Sequence, residues 1–327
     1  GNVASGFQLT MTAPAGAIYY TLDGTDPRDS GGAISATGIA YTPGAPASLT
    51  TSALAKARVL SGGTWSALNE ASFFVDTISA NNTNLVISEI NYHPLSDDDA
   101  LEFIELMNIS DQEIDLRGVK FIRGITFDFD QNDIRPISVL PPNERIVIVG
   151  KSAGFSTDYP GIPIAGEFIG DLSNSGENVT LLAADGSTIR DFRYNDKLPW
   201  PTSADGDGFT MILIAPERAP DHQLATSWRS STTIGGNPTS SDAVPFTGDP
   251  NADLDSDGLI ALLEYALGTD DNIPDHPNDI YDLTGPPENL TFIVRQNLGA
   301  DDTILTIQTS NDLETWIDAD TIFELSN

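Results

Sequence analysis

The first 77 residues carry short runs with a period of two. "FQLTMTA" alternates apolar and polar positions, and "AIYYTLDGTDPR" is a β-rich run that reaches the turn signal Asp23-Gly24. "ALAKARVLSGGTWSALNEASFFV" reads as strand, Ser-Gly-Gly turn and further strand. No helical period lasts long enough to compete, so residues 1–77 predict an all-β sandwich. The polar joint "DTISANNTN" then leads into "LVISEI", "EFIELMNI", "VKFI", "RIVIVG" and "NVTLLAADGSTIRDFRY". Turn residues separate these runs at short intervals, which predicts a second all-β domain over 84–245. Residues 246–284 read as an acidic connector around one helix, "LIALLEYAL". Residues 285–327 hold "NLTFIVRQ", "DTILTIQTS" and "DLETWIDA", with a turn at Ser310-Asn311-Asp312, and predict a partial β module. The expected fold is mainly β.

Composition changes this picture in two ways. Forty-eight acids against 15 bases leave a formal charge of −33, which repels nucleic acid and anionic lipid and attracts divalent cations. The absence of cysteine excludes disulfide scaffolds, cysteine-zinc sites and thiol catalysis, and leaves the compartment open. No apolar run approaches the length of a membrane span, so no membrane insertion is expected. The opening residues "GNVASGFQLTM" have neither the basic start nor the apolar core of a signal peptide. They read as the middle of a folded domain. A fragment of a longer chain is expected, and the missing signal is no argument against secretion.

Candidate chemistry is sparse. The histidines are His93, His222 and His276, and no H-E-x-x-H pair exists for zinc. His93 lies near Glu89, Asp97, Asp98, Asp99, Glu102 and Glu105, where a metal hydrolase can be imagined. A solvated acidic loop is the simpler reading. No G-x-S-x-G elbow is present, and "SGG" and "DGDG" lack the lysine and spacing of a phosphate loop. Asp205 and Asp207 fit a hairpin turn, and Asp128, Asp130 and Asp133 form a second, weaker acidic cluster without a glycine. Trp65, Trp200, Trp228 and Trp316 suit packing in β-sandwiches as well as stacking on sugars. No enzyme activity is expected of these residues.

The pattern that stands out is "GDPNADLDSDGLIALLEYALGTDDN", residues 248–272. Asp253, Asp255 and Asp257 take positions 1, 3 and 5 of a D-x-D-x-D-G-x5-E calcium loop, Gly258 takes 6 and Glu264 takes 12. Leu259 offers its backbone carbonyl at position 7, and Ala261 leaves position 9 to water. Calcium needs several hard oxygens, a sharp turn and a last carboxylate fixed on a helix. All three occur in sequence. Pro245, Gly248 and Pro250 interrupt the incoming helix of an EF-hand, so the stretch resembles the loops of dockerins or thrombospondin type 3 repeats. In those settings Asp249 or Asn251 enters in place of Glu264. The competing reading is that the acids merely cap the following helix.

Three resemblances add expectations. "IYYTLDGTDPR" with "ARVLSGGTWSAL" resembles the small β-sandwich at the C-terminus of chitobiases and hexosaminidases, whose catalytic carboxylates sit in a separate barrel. "ISEINYHP", "EFIELMNISDQEIDLRGVKF", "GDLSNSGENVTLL" and "WP" followed by "DGDG" resemble the lamin tail domain, an immunoglobulin-like sandwich. In that pattern Glu105 and Asn108 serve the fold. The combination is similar to secreted bacterial proteins that also carry a CotH-type kinase, of which these residues hold no signature. The resemblances imply tandem immunoglobulin-like β-sandwiches with a short acidic helical connector, secreted or on the cell surface. Two functions stay open: a non-catalytic structural and interaction region that contacts another surface protein, and a carbohydrate-binding appendage of a polysaccharide-processing enzyme.

Overall fold

The computed structural model describes residues 1–276, 280–285 and 291–318. Among these the architecture is mainly β, and the α-helices Phe129–Asn132, Ser152–Asp158 and Ala261–Leu267 are short.

In the N-terminal unit, strand Asn69–Val75 runs parallel to Asn2–Val3 and antiparallel to Ala53–Ser61. Ala17–Thr21 and Ile39–Ala40 extend the sheet on the far side. Thr64–Trp65 folds back on Ala53–Ser61 through Gly62 and Gly63, with φ of 56° and 82°. Positive φ at both centres is the two-residue turn whose twist matches its strands, and glycine adopts it without a Cβ clash. Phe7–Leu9 pairs with Ala47–Leu49 as a separate ribbon. The core is small, with Tyr20, Leu49, Phe74 and Val75 buried.

The joint belongs to the second unit. Ile78–Ser79 pairs with Ile114–Asp115 rather than with the first sheet. Side chains then tie the two units together. The Arg117 guanidinium lies 3.5 Å from the Phe74 ring centroid and donates to Asn2 at 3.1 Å. The Ser52 hydroxyl donates to Glu113 at 2.5 Å.

The second unit packs a six-stranded sheet on a four-stranded one. The first runs Ile164–Glu167, Arg145–Val149, Phe103–Asn108, Leu85–Asn91, Met211–Leu213, Trp228–Ser230. The second runs Phe127–Asp128, Lys120–Arg123, Asn178–Leu182, Thr188–Arg193. Leu85, Ile104, Leu106, Phe121, Phe127 and Val179 lie in the shared core. Strands Leu85–Asn91 and Phe103–Asn108 are buried at every residue. Since neighbouring side chains face opposite ways, something must cover the outer face as well. Helix Ser152–Asp158 does so with Phe155, which packs on Phe103, Val147 and Val149. Beside it the stretch 231–242 crosses the sheet, and its Thr239 amide donates to the buried Glu105 at 2.5 Å.

Beyond residue 276, Tyr281–Thr284 pairs with Thr291–Val294, and Gln308–Thr309 with Ile317–Asp318. The strand expected over 302–310 is thus reduced to Gln308–Thr309. No described strand lies beside residues 303–307, and Ile304 is 88% exposed, so neither a ladder nor a core stabilises extension there. Residues 286–290 and 319–327, which the expected C-terminal module includes, lie outside the described residues. Among the described residues no helix is long and apolar enough to cross a membrane.

Candidate metal centre

The acidic loop is wound by its own carboxylates. Asp249 accepts the Asn251 amide at 3.0 Å, Asp255 accepts the Asp257 amide at 3.1 Å, and Asp257 accepts the Leu259 amide at 2.8 Å. Each bond spans two residues, the geometry in which an aspartate side chain mimics a turn. Gly258, with φ of 100°, makes the sharp change of direction that a side chain resists. The Ala261 amide reaches back to the Ala252 carbonyl at 2.8 Å and closes the loop against the start of the helix.

Two groups of carboxylates converge there. Oxygen atoms of Asp253, Asp255 and Asp257 lie within 4.8 Å of one another, and so do those of Asp257, Glu264 and Asp275. Asp257 belongs to both. Glu264 enters from helix Ala261–Leu267, which Gly268 ends at φ of 79° while its amide bonds the Glu264 carbonyl. That reversal returns the chain to the loop. The Asp275 amide donates to Asp257 at 2.7 Å, and Asp271 accepts the Leu254 amide at 3.1 Å. Asp271 and Asp275 were not among the residues expected from the sequence. The dense acids of "GTDDNIPD" after the helix are their one sequence signal, and spacing alone does not say that they turn back.

The electrostatics are one-sided. No lysine or arginine occurs between Arg229 and Arg295, and no described ion pair reaches these acids. Glu264 is 1% exposed, and among the described residues no N–H or hydroxyl donates to either of its carboxylate oxygens, which have the Asp271 carboxylate beside them. Asp255 and Asp275 each hold a further buried oxygen without such a donor. Burial, with the Asp271, Asp255 and Asp257 carboxylates beside it, pushes Glu264 up to about 7. Burial and the neighbouring Asp257, Asp253 and Asp271 also raise Asp255. Asp257 goes the other way, because the Leu259 and Asp275 amides stabilise its charge. The helix has Ile260 at its N-cap position with no side-chain bond, so the loop acids do not cap it. Oxygen ligands alone suit a hard cation. Asp249 stands outside both groups. Leu259 is half-buried directly after Gly258.

The other candidates are occupied by structural bonds. His93 meets Asp205 through Nδ1 at 2.6 Å and Asp97 through Nε2 at 3.3 Å, which uses both ring nitrogens. Asp128 accepts the Asp130 amide at a helix start, Asp130 accepts the Gly118 amide, and Asp133 pairs with Arg135 at 2.7 Å. Glu105 accepts the Ser88 hydroxyl at 2.7 Å and faces Arg145 at 3.2 Å. The Asn108 amide group donates to the carbonyls of Gln112, Leu140 and Pro141. Trp200 and Trp228 are buried, and the Trp65 indole donates to the Gly32 carbonyl at 2.7 Å. Trp316 is 51% exposed.

Residues 78–196 match the family model of the Lamin Tail Domain. The match begins at the joint strand and ends before Met211–Leu213 and Trp228–Ser230, which complete the six-stranded sheet. The comparisons with curated proteins and with solved structures gave no match. The chain is therefore a mainly β protein that carries an immunoglobulin-like, lamin-tail-type domain, with the acidic centre C-terminal to it.

Proposed function

We propose that this chain is a non-catalytic structural and interaction region of a secreted or cell-surface multidomain protein, with a connector held in shape by calcium. The first sandwich is read as a chitobiase-type accessory module, and a CotH-type kinase is the catalytic partner such modules would serve. The observation that carries the calcium reading is Glu264, buried among other acids with no described donor to either carboxylate oxygen. Such a charge is costly unless a cation compensates it.

In this reading Asp253, Asp255, Asp257, Glu264 and Asp275 supply carboxylate oxygens, and Leu259 supplies its carbonyl. Calcium tolerates this many ligands in irregular geometry, whereas magnesium demands a tight octahedron and keeps its waters. The weak affinity of extracellular modules is expected, about 10⁻⁴ to 10⁻³ M. A seven-residue helix is too short to persist alone, so the ion would fix it by holding Glu264 against the loop. Calorimetric titration of the chain and of Asp255→Ala tests this. Binding by the first and its loss in the second is the expected pair, and equal binding by both refutes the assignment.

A further inference from the structure

We infer that the calcium loop is coupled to the edge of the lamin-tail-type sandwich by a clasp on Arg229, so that ion binding and closure of the clasp strengthen each other. This rests on the calcium reading above.

Arg229 lies in the edge strand Trp228–Ser230 and is 4% exposed. Its guanidinium is gripped from two directions. Asp242, from the chain that leaves the sandwich, takes Nη1. Asp301, 72 residues away in sequence, takes Nε at 2.7 Å and Nη2 at 3.0 Å. Asp242 is independently anchored by the Thr232 amide and hydroxyl and the Asn237 side chain. Among the described residues Asp301 has no such anchor. It is delivered by the segment 297–302, and that segment is held by the helix that carries Glu264.

The bonds between them can be followed atom by atom. The Asn297 amide donates to the Ala266 carbonyl at 2.9 Å, and its side chain donates to the Tyr265 carbonyl at 3.0 Å. The Tyr265 hydroxyl bonds the Val244 carbonyl and lies 2.6 Å from Asp302. Asp302 in turn accepts the Phe246 amide at 2.9 Å, and the Val244 amide donates to Gly299 at 2.8 Å. The Phe246 and Tyr265 rings meet edge to face at 5.3 Å. Glu264 and Tyr265 are neighbours, so one helical turn carries a metal-facing carboxylate on one side and the clasp on the other.

Without the ion, the carboxylates repel and the short helix loses its support. Asn297 and Asp302 then lose their partners, and Asp301 is no longer presented to Arg229. Linkage requires the converse. Whatever factor calcium adds to clasp closure, an open clasp must subtract from calcium affinity.

The test uses the full chain, calcium chloride, and variants at two residues that supply no calcium ligand. Asp301→Asn removes the carboxylate charge that faces Arg229. Tyr265→Phe keeps the ring on Phe246 and removes the hydroxyl, and it serves should the first variant fold poorly. Both are expected to bind calcium at least about 5-fold more weakly than the parent chain, the lower end of ordinary coupling between sites. In the parent chain calcium should slow hydrogen exchange at the Val244 and Phe246 amides, while amides of strand Ala53–Ser61 stay unchanged. Undiminished calcium affinity in a folded variant, or exchange at Val244 and Phe246 indifferent to calcium while calcium binds, overturns the coupling alone. No binding by the parent chain overturns the calcium reading and the coupling with it.

Discussion

The Asp275 amide donates to the Asp257 carboxylate at 2.7 Å, across 18 residues that contain the whole connector helix. This bond makes the loop and the return segment one unit, and it places a second acid from beyond the helix beside Glu264. Asp275→Ala should therefore weaken calcium binding about 10-fold, whereas Asp249→Ala, outside both carboxylate groups, should leave it within about 2-fold. Titration of the two variants in parallel decides the matter. The reverse order would return Asp249 to the ligand set and remove Asp275.

Glu264→Gln should separate stability from binding. The substitution keeps the side-chain shape and removes the charge that burial and three neighbouring acids oppose. In calcium-free buffer the variant should melt a few degrees above the parent chain. In calcium it should gain little, because its strongest buried ligand is gone. A variant less stable than the parent without calcium would mean that Glu264 is compensated by the protein itself.

Arg117→Ala should loosen the first sandwich from the second. It removes the guanidinium stacked on Phe74 and its bond to Asn2, interactions together worth about 1–2 kcal/mol. The small N-terminal core should then melt earlier, and the lamin-tail-type domain, which loses the Arg117–Asp115 ion pair, should shift less. Calorimetric scanning resolves the two transitions, and an unshifted first transition contradicts the coupling.

Glu102 should make stability depend on pH. Burial raises it to about 8 despite the Leu172 amide, and Asp99, Asp171 and Glu177 add to the effect. A carboxyl raised above its ordinary value favours the fold when protonated. Its contribution is fully present below about pH 4.5 and is lost as pH rises through about 8, at about 1.4 kcal/mol per pH unit. Glu102→Gln, which still accepts from Leu172, should be more stable than the parent chain at pH 8.5 and nearly equal to it at pH 4.5. Denaturant titrations at both pH values check the sign. Parallel curves would show that Glu102 does not titrate between them.

Strands such as "FIELMN" are legible in the sequence because a pleated backbone turns alternate residues to one face and β-branched or aromatic residues fill it. Burial of the other face is not legible. Nothing near Glu89 or Glu105 announces that Thr239 will lie across Glu105 or that Thr210 will bond Glu89 at 2.6 Å. The loop shows the same division. Asp253, Asp255 and Asp257 are readable by their period-two spacing, and the Asp255 and Asp257 carboxylates turn the chain locally, two residues at a time. Asp275 reaches the site only after Gly268 reverses the chain, and that path is set by tertiary packing. The strand expected near Ile304 failed for a related reason, since apolar alternation needs a neighbour to pair with and none of the described strands lies beside it.

The most direct test of the central claim is the melting temperature of the full chain measured across calcium concentrations from chelator to 10 mM, with magnesium as the control. If calcium occupies the loop with a dissociation constant near 10⁻⁴ M, stability should rise with the logarithm of its concentration, by about 2.7 kcal/mol at a hundredfold excess over that constant. Asp257→Ala, which removes the carboxylate common to both groups, should abolish the rise, and magnesium should produce little of it. A melting temperature that stays flat through 10 mM calcium would contradict the account.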